Sequence, residues 1–266
     1  MEPDLAGQTI VVTGAASGIG AATAARFARS GAHVIGVDRN VPVGATSFVQ
    51  ADLSTSQGAV EAARDVLALA PSIQGLANIA GVPGTAPWRT VLAVNVHGLR
   101  ALTTAVLPSI TAGGFVTNLA SAVGDGWAER VAEIQAFLRH ADDPEALASV
   151  EADPEVTTNA YRFSKECVRV LTQTLAAETI GRVRVNSVSP GPVNTPILDD
   201  FKRDHGVAKV EGAITLTGGA ATPEVIAEVV AFLASPAAAW INGTDIRVDG
   251  GLGAFRFAQQ AAAAVG

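Results

Sequence analysis

Tyr161 and Lys165 stand four residues apart, a spacing that puts a phenol and an ammonium on one face of a helix. A phenol ordinarily titrates near ~10, too high for a base at neutral pH, and an ammonium beside it favours the phenolate. Such a pair can take the proton of an alcohol or return one to a ketone. A second set of residues suits a diphosphate. In Thr13-Gly14-Ala15-Ala16-Ser17-Gly18-Ile19-Gly20 the glycines are spaced Gly-x-x-x-Gly-x-Gly. One glycine allows a tight turn off a strand, and another leaves no Cβ in the way of a diphosphate. The N-terminus of a following helix then offers free N–H groups and the positive end of its dipole. Asp38 follows Gly20 by eighteen residues, placed to accept hydrogen bonds from the adenosine hydroxyls of NAD. The 2′-phosphate of NADP would meet that negative charge with no Lys or Arg in the glycine loop to offset it. Arg39, read as flanking the adenine, is the one nearby cation and leaves NADP as the lesser option.

These residues need a scaffold, and the pattern supplies one. A β-branched run at 8–12 reads as a buried strand, the Ala- and Arg-rich 21–30 as a helix stopped by Gly31, and 33–37 as a second strand ending in Asp38. Further strands are predicted at 47–50, ending in Asp52-Leu53, at 76–81, at 114–119 and at 184–188, with a last strand and turn at 245–251. Helices are predicted at 57–69, capped by Ser54 or Thr55, at 88–107 with Asn95 in its middle, from Tyr161 to a stop at Gly181, and from Thr222-Pro223-Glu224. Strands alternating with helices predict a single-domain, doubly wound parallel α/β sheet of about seven strands with helices on both faces. Ligands of such sheets bind beyond the C-terminal strand ends, where Gly14, Asp38, Asp52, Asn78 and Ser121 all fall.

The totals narrow the function classes. The chain has 266 residues, 48% of them hydrophobic, which is enough for a sizeable core. A net charge of −7 with no basic block argues against nucleic acid and anionic membrane surfaces. The single cysteine, Cys167, allows no internal disulfide and fits a reducing, cytoplasmic setting, and no signal peptide begins Met1-Glu2-Pro3-Asp4. Two uncharged stretches, 66–88 and 101–124, are long enough to raise a membrane span, but prolines, glycines and asparagines break both. His33, His97 and His140 show no metal-ligand grouping, so no metal is expected. Cys167 reads as core.

Taken together, Thr13-Gly14-x-x-x-Gly18-x-Gly20, Asn78-x-Ala80-Gly81, Asn95, Ser121, Tyr161-x-x-x-Lys165 and Pro190-Gly191 occur in the order seen in short-chain dehydrogenases/reductases, and the chain resembles that family from about residue 5 to 251. One departure is Ile79, where the family has a second asparagine. The resemblance implies hydride transfer between NAD and an alcohol carbon, with Tyr161 as acid–base and Ser121 on the substrate oxygen. Lys165 would tune Tyr161 and bind the nicotinamide ribose, and Asn95 would hold a water that passes protons to Lys165. It implies a cofactor site built from Gly14, Ser17, Gly18, Ile19, Gly20, Asp38, Arg39, Asp52, Leu53, Asn78, Ala80, Gly81, Tyr161, Lys165, Pro190 and Gly191. Val193, through its backbone, and Thr195 would hold the carboxamide.

Ser121 and Tyr161 are forty residues apart, much longer than in most of the family. A helical insertion is expected at about 125–158. Trp127, Val131, Ile134 and Leu138 give an apolar stripe, and Asp143-Pro144-Glu145 starts a second short helix through Val150. This feature, with the runs at 51–55 and 235–238, is similar to the bacterial 3α-hydroxysteroid dehydrogenase/carbonyl reductase branch. An insertion there should block or replace a family tetramer face, so a homo-oligomer is expected, with a dimer favoured over a tetramer. A substrate lid is expected at about 196–221, where His205 reads as a solvated lid residue. The tail from 252 is expected to bury at an interface or to fray. The implied activity is NAD-dependent reversible oxidation of a secondary alcohol to a ketone, on a bulky cyclic or hydroxysteroid-like substrate. The alternatives are a dehydrogenase of aromatic or other non-steroid alcohols and, more distantly, a non-catalytic NAD(H)-sensing protein.

Overall fold

The computed structural model describes residues 4–140 and 145–265. Its centre is one sheet of seven strands, β1 (Thr9–Thr13), β2 (His33–Asp38), β3 (Ser47–Gln50), β4 (Ile73–Asn78), β5 (Ile110–Leu119), β6 (Val183–Pro190) and β7 (Asp245–Val248). They lie in the order β3-β2-β1-β4-β5-β6-β7, and every neighbouring pair is parallel. The chain builds outward from β1 in one direction and then from β4 in the other. A crevice therefore opens between β1 and β4 at the C-terminal edge. Ile10, Val11, Val12, Val34, Ile35 and Val37 are all fully buried, because helices cover both faces.

The helices are α1 (Gly18–Arg29), α2 (Ser56–Leu69), α3 (Trp88–Leu92), α4 (Leu99–Val106), α5 (Val131–Arg139), α6 (Glu145–Glu151), α7 (Pro154–Thr158), α8 (Ala160–Glu178), α9 (Leu198–His205), α10 (Val207–Leu216), α11 (Pro223–Ala234) and α12 (Leu252–Val265). On one face, Ala24 and Phe27 of α1 and Ile226, Val230 and Leu233 of α11 form one apolar cluster with the sheet. On the other, α2, α4, α5 and α8 supply a larger cluster that includes Val66, Leu102, Ile134, Phe163 and Val168. Thr55 caps α2 by accepting the Gly58 N–H at 3.0 Å.

The expected seven-stranded parallel sheet is present, and four local differences have physical reasons. β4 runs three residues earlier than the 76–81 predicted, because the Ile79 and Ala80 N–H groups both donate to Thr13 Oγ1 at 3.0 Å instead of to a strand. The helix at 88–107 contains a π-helical turn at Ala93–Gly98 around Asn95. The tail is a helix, α12, started by Asp249, whose carboxylate accepts the Gly251 and Gly253 N–H groups. Neither 66–88 nor 101–124 is one helix; each contains a strand of the sheet. Trp88–Ser109 is instead the stretch long and apolar enough to cross a membrane by length and composition, and 56% of its apolar window is buried inside the fold.

Residues 125–140 and 145–158 are largely helical, with Ile134, Phe137 and Leu138 buried and Trp127 and Val131 packed on the core. Each such side chain contributes roughly 1.5–3 kcal/mol by leaving water. Phe137 meets Phe163 of α8 edge-on at 5.3 Å. Asp143 and Pro144 lie outside the described residues, and the second short helix is described from Glu145.

Candidate active site and nucleotide cleft

At the crevice between β1 and β4 a cleft of about 370 Å³ is lined by Gly14, Ser17, Gly18, Ile19, Gly20, Asp38, Arg39, Asp52, Leu53, Ala80, Gly81 and Thr195. The glycines are required by contact. A Cβ on Gly14 would stand 2.8 Å from the Ala80 Cα, and one on Gly20 would stand 1.9 Å from the Gly14 carbonyl oxygen. α1 begins here with no acidic residue in its first turn, and Ser17 makes no side-chain cap. Its free N–H groups and dipole therefore face the cleft without a competing anion. Asp38 Oδ2 accepts the Ala16 N–H at 3.0 Å and Oδ1 the Asn40 N–H at 3.0 Å, which fixes the carboxylate at the mouth of the crevice. Asp52 sits lower than an ordinary carboxylate, chiefly through hydrogen bonds from Ser54. A dinucleotide would fit this donor set: α1 offers N–H groups for a diphosphate, and Asp38 offers acceptors for sugar hydroxyls.

Some expected cofactor residues lie elsewhere. Asn78 is buried and turns away from the cleft, donating to Thr103 Oγ1 at 2.8 Å and Asn118 Oδ1 at 2.9 Å. Asn118 in turn donates to Thr172 Oγ1 at 2.9 Å, so Asn78 ties β4 and β5 to α4 and α8. Pro190 and Gly191 line a second cavity, described below. Val193 is buried, and its segment pairs with Ala221.

Ser121, Tyr161 and Lys165 do come together. Ser121 lies two residues past the end of β5, and its hydroxyl hydrogen-bonds the Tyr161 phenol. Lys165 is 3% exposed and donates from Nζ to the Leu119 carbonyl at 2.8 Å, with Nζ 5.5 Å from the Tyr161 ring centroid. The expected lowering of Tyr161 by Lys165 is not what the surroundings produce. Burial pushes the phenol up to about 12; the Ser121 hydrogen bond opposes this, and the Asp204 charge adds to it. Burial likewise pulls Lys165 down to about 8. The cause lies above the phenol, where Phe201 and His205 of α9 both stand edge-on to it at 6.0 and 5.9 Å. His205 is thus a packed residue, not a solvated one; burial pulls its imidazole below the ordinary value, Asp204 opposing.

Asn95 spends its side chain on the loop after β4. Oδ1 accepts the Val82 N–H at 2.9 Å, and Nδ2 donates to the Val82 carbonyl and to Ser164 Oγ. A water-holding role would therefore fall to a main-chain carbonyl of the π-helical turn, where the α-helical ladder is interrupted.

Arg169 was missed in the sequence, although it lies four residues after Lys165 on the same helix. It is buried and donates to the Ser121 carbonyl at 3.2 Å and to Ser189 Oγ at 2.9 Å. It also pairs with Asp125 at 2.9 Å and Asp245 at 3.2 Å, so one guanidinium fixes the backbone of Ser121 against β6, β7 and the 125–158 region.

Beside this group lies a cavity of about 590 Å³ with Ser121, Val123, Pro192, Phe201, His205 and Phe257 in its wall. Tyr161 stands behind Phe201 and His205 in this arrangement.

A family profile described as short chain dehydrogenase matches residues 8–132, and one described as enoyl-(acyl carrier protein) reductase matches 146–253. The chain is 41% identical to coniferyl-alcohol dehydrogenase of a Pseudomonas species over 93% of this chain and 97% of that protein. It is 34% identical to 3-alpha-hydroxysteroid dehydrogenase/carbonyl reductase of Comamonas testosteroni over 92% and 96%. Its fold matches the crystal structure of the 3-alpha-hydroxysteroid dehydrogenase from Pseudomonas sp. B-0831 complexed with NADH, with a TM-score of 0.79, 34% identity and coverage of 94% and 98%. With a paired Tyr161, Lys165 and Ser121 beside a dinucleotide cleft, the chain belongs to the short-chain dehydrogenase family, near its hydroxysteroid dehydrogenase branch, and is an oxidoreductase acting on alcohols.

Proposed function

We propose that this enzyme oxidises a ring-bearing alcohol with NAD, reversibly, and that the observation carrying this reading is the Ser121–Tyr161–Lys165 group between the nucleotide cleft and the 590 Å³ cavity. NAD supplies a hydride acceptor when bound. Gly14, Ser17, Gly18, Ile19 and Gly20 hold its diphosphate through backbone N–H groups, and Asp38 takes the adenosine hydroxyls. Arg39, Asp52 and Leu53 flank the adenine, Ala80, Gly81 and Lys165 the ribose next to the nicotinamide, and Val193 and Thr195 the carboxamide. Tyr161 removes the alcohol proton as phenolate, and Ser121 holds the substrate oxygen and stabilises its developing charge. Lys165 supports the phenolate through its positive charge, and Asn95 fixes the Gly81–Val82 loop against which the nucleotide lies.

The segment 196–221 is the substrate lid in this reading. Thr85 Oγ1 donates to Asp200 Oδ1 at 2.8 Å, and the Asp204 carboxylate lies over Gly84, so α9 is latched across the loop after β4. The 125–158 region packs along α8 and covers the face by which another subunit would dock there. A dimer formed elsewhere follows, and a tetramer by light scattering would contradict it.

Two substrate classes fit. A bulky cyclic or steroid-like alcohol accords with the 34% identical hydroxysteroid dehydrogenase. An aromatic alcohol is favoured by the 41% identical coniferyl-alcohol dehydrogenase and by the rings of Phe201, His205 and Phe257 in the cavity wall. Initial rates of NADH and NADPH formation across linear, aromatic and steroid alcohols test this. Turnover of ring-bearing alcohols with NAD is expected, and turnover of short linear alcohols alone would contradict it.

A further inference from the structure

The wall of the 590 Å³ cavity is not neutral. It carries Arg162, Lys209, Arg247 and Arg256, and among the described lining residues one carboxylate, Asp125. Four of the chain's eighteen Lys and Arg residues therefore converge on one hollow of a protein whose net charge is −7.

Two of these cations are already engaged. Arg247 Nη2 pairs with Asp125 Oδ1 at 2.7 Å, and the same oxygen also receives Arg169 at 2.9 Å, so the one carboxylate of the lining is already shared by two cations. Arg162 Nη2 pairs with Glu155 at 2.5 Å, and its Nε lies 3.8 Å from the buried Glu166 carboxylate. Lys209 and Arg256 make no ion pair among the described residues, and both are exposed at the mouth. His205, the other titratable side chain in the wall, is engaged by Asp204 at 3.1 Å.

Arg256 is held in place by the fold. Leu252, Gly253, Arg256, Phe257 and Gln260 all line the cavity, a spacing that makes one face of α12 its wall. The Asp249 carboxylate fixes the start of that helix through the Gly251 and Gly253 N–H groups at 3.0 and 2.8 Å. The guanidinium of Arg247 lies directly against Gly253, where a Cβ would collide with it, so α12 is seated on the β7 side of the cavity. Lys209 comes from α10, which lines the same cavity through Lys209, Val210 and Ala213.

We propose that the substrate carries an anionic substituent at the end remote from its hydroxyl, received by Lys209 and Arg256 at the cavity mouth, which rests on the reading of this cavity as the alcohol site. Apolar rings near Ser121 would take the ring of the substrate, and the two cations its charge. A carboxylate and a phosphate ester share this chemistry.

The test uses 4-(hydroxymethyl)benzoate, its methyl ester and 4-(hydroxymethyl)phenyl phosphate, with saturating NAD. The acid or the phosphate is expected to exceed the ester in kcat/KM by tenfold or more at low ionic strength, with the advantage shrinking as salt rises. Whichever anion shows the larger advantage identifies the source. Arg256→Gln and Lys209→Gln are each expected to cut the anion-to-ester ratio several-fold. Arg64→Gln, exposed on α2 and outside both cavities, should leave it unchanged. Calorimetric binding of the same three compounds to the NADH-bound protein provides a readout without turnover. Turnover of the ester with no anion advantage, or an advantage that neither substitution reduces, overturns the proposal and leaves the dehydrogenase reading standing. Anion-selective binding lost in Arg256→Gln, without oxidation of any of the three alcohols, supports the anion site and overturns the reading of this cavity as the site of ring-bearing alcohols. Absence of anion-selective binding together with absence of turnover overturns both proposals.

Discussion

Lys165 Nζ lies 5.5 Å from the centre of the Tyr161 ring, and both groups are displaced from their ordinary titration by burial, the phenol upward to about 12 and the ammonium downward to about 8. Each is held in its neutral form more strongly than in water. Lys165→Met should therefore remove a buried charge as well as a catalytic one. A depression from 10.5 to about 8 corresponds to at most about 3 kcal/mol, and losing the bond to the Leu119 carbonyl costs about 1 kcal/mol. Urea unfolding at pH 7 should show the variant more stable by roughly 1–2 kcal/mol, with turnover lost. In the wild type, the unfolded chain keeps a Lys165 proton between about pH 8 and 10.5 that the folded chain has released, so this residue makes stability rise with pH across that window. The rise should be missing in Lys165→Met.

Asp204 raises Tyr161 through its charge, and it sits on α9 beside His205. Alcohol oxidation needs the phenolate, so its rate should climb with pH toward about 12, while ketone reduction falls. Asp204→Asn should move the oxidation profile to lower pH, because the phenolate then faces one negative charge fewer. Initial rates from pH 6 to 11 check this; a profile unmoved or moved upward would contradict it.

Asp38 should set the choice of nucleotide. It anchors the glycine loop at Ala16 and presents its charge where a 2′-phosphate would lie. Wild type should prefer NAD, and Asp38→Ala should shrink the NAD:NADP ratio in kcat/KM about tenfold, the worth of roughly 1.4 kcal/mol. Preference for NADP in the wild type would show Arg39 outweighing Asp38.

Arg169 should act on rate through the position of Ser121. Arg169→Met leaves the largely buried Asp245 without its cation while Asp125 keeps Arg247, a loss of roughly 1–3 kcal/mol. Arg169→Lys keeps the charge and should recover most of the stability. It should still lose kcat more than KM, because a lysine cannot reach the Ser121 carbonyl and Ser189 together as the guanidinium does. Thermal unfolding and steady-state kinetics separate the two effects.

The frame of this site was legible because it is local. Gly14, Gly18 and Gly20 are dictated by contacts within a strand–turn–helix unit, and Tyr161 and Lys165 by one helix face. Asp38 lies at a strand end that a β-branched run predicts. What was not legible depends on distant partners. Thr13, on the neighbouring strand β1, ends β4 at Asn78 by taking the Ile79 and Ala80 N–H groups, and the aromatic cover of Phe201 and His205 reverses the expected shift of Tyr161. Asn78 spends its side chain on Thr103 and Asn118, within the core. Arg169 finds its four partners only once β5, β6, β7 and the 125–158 region are folded around α8. The wall built by α12 needed the seat that Asp249 and Gly253 provide, which periodicity in an alanine-rich tail does not reveal.

The most direct measurement is Tyr161→Phe assayed for both nucleotide binding and turnover. The phenol is the group that moves the proton, and it stands outside the lining of the nucleotide cleft. The variant should bind NADH within about twofold of wild type and lose turnover of ring-bearing alcohols by roughly 10²–10⁴-fold, the usual worth of a positioned acid–base group. Turnover at the wild-type rate would contradict the assignment of Tyr161 and the mechanism built on it.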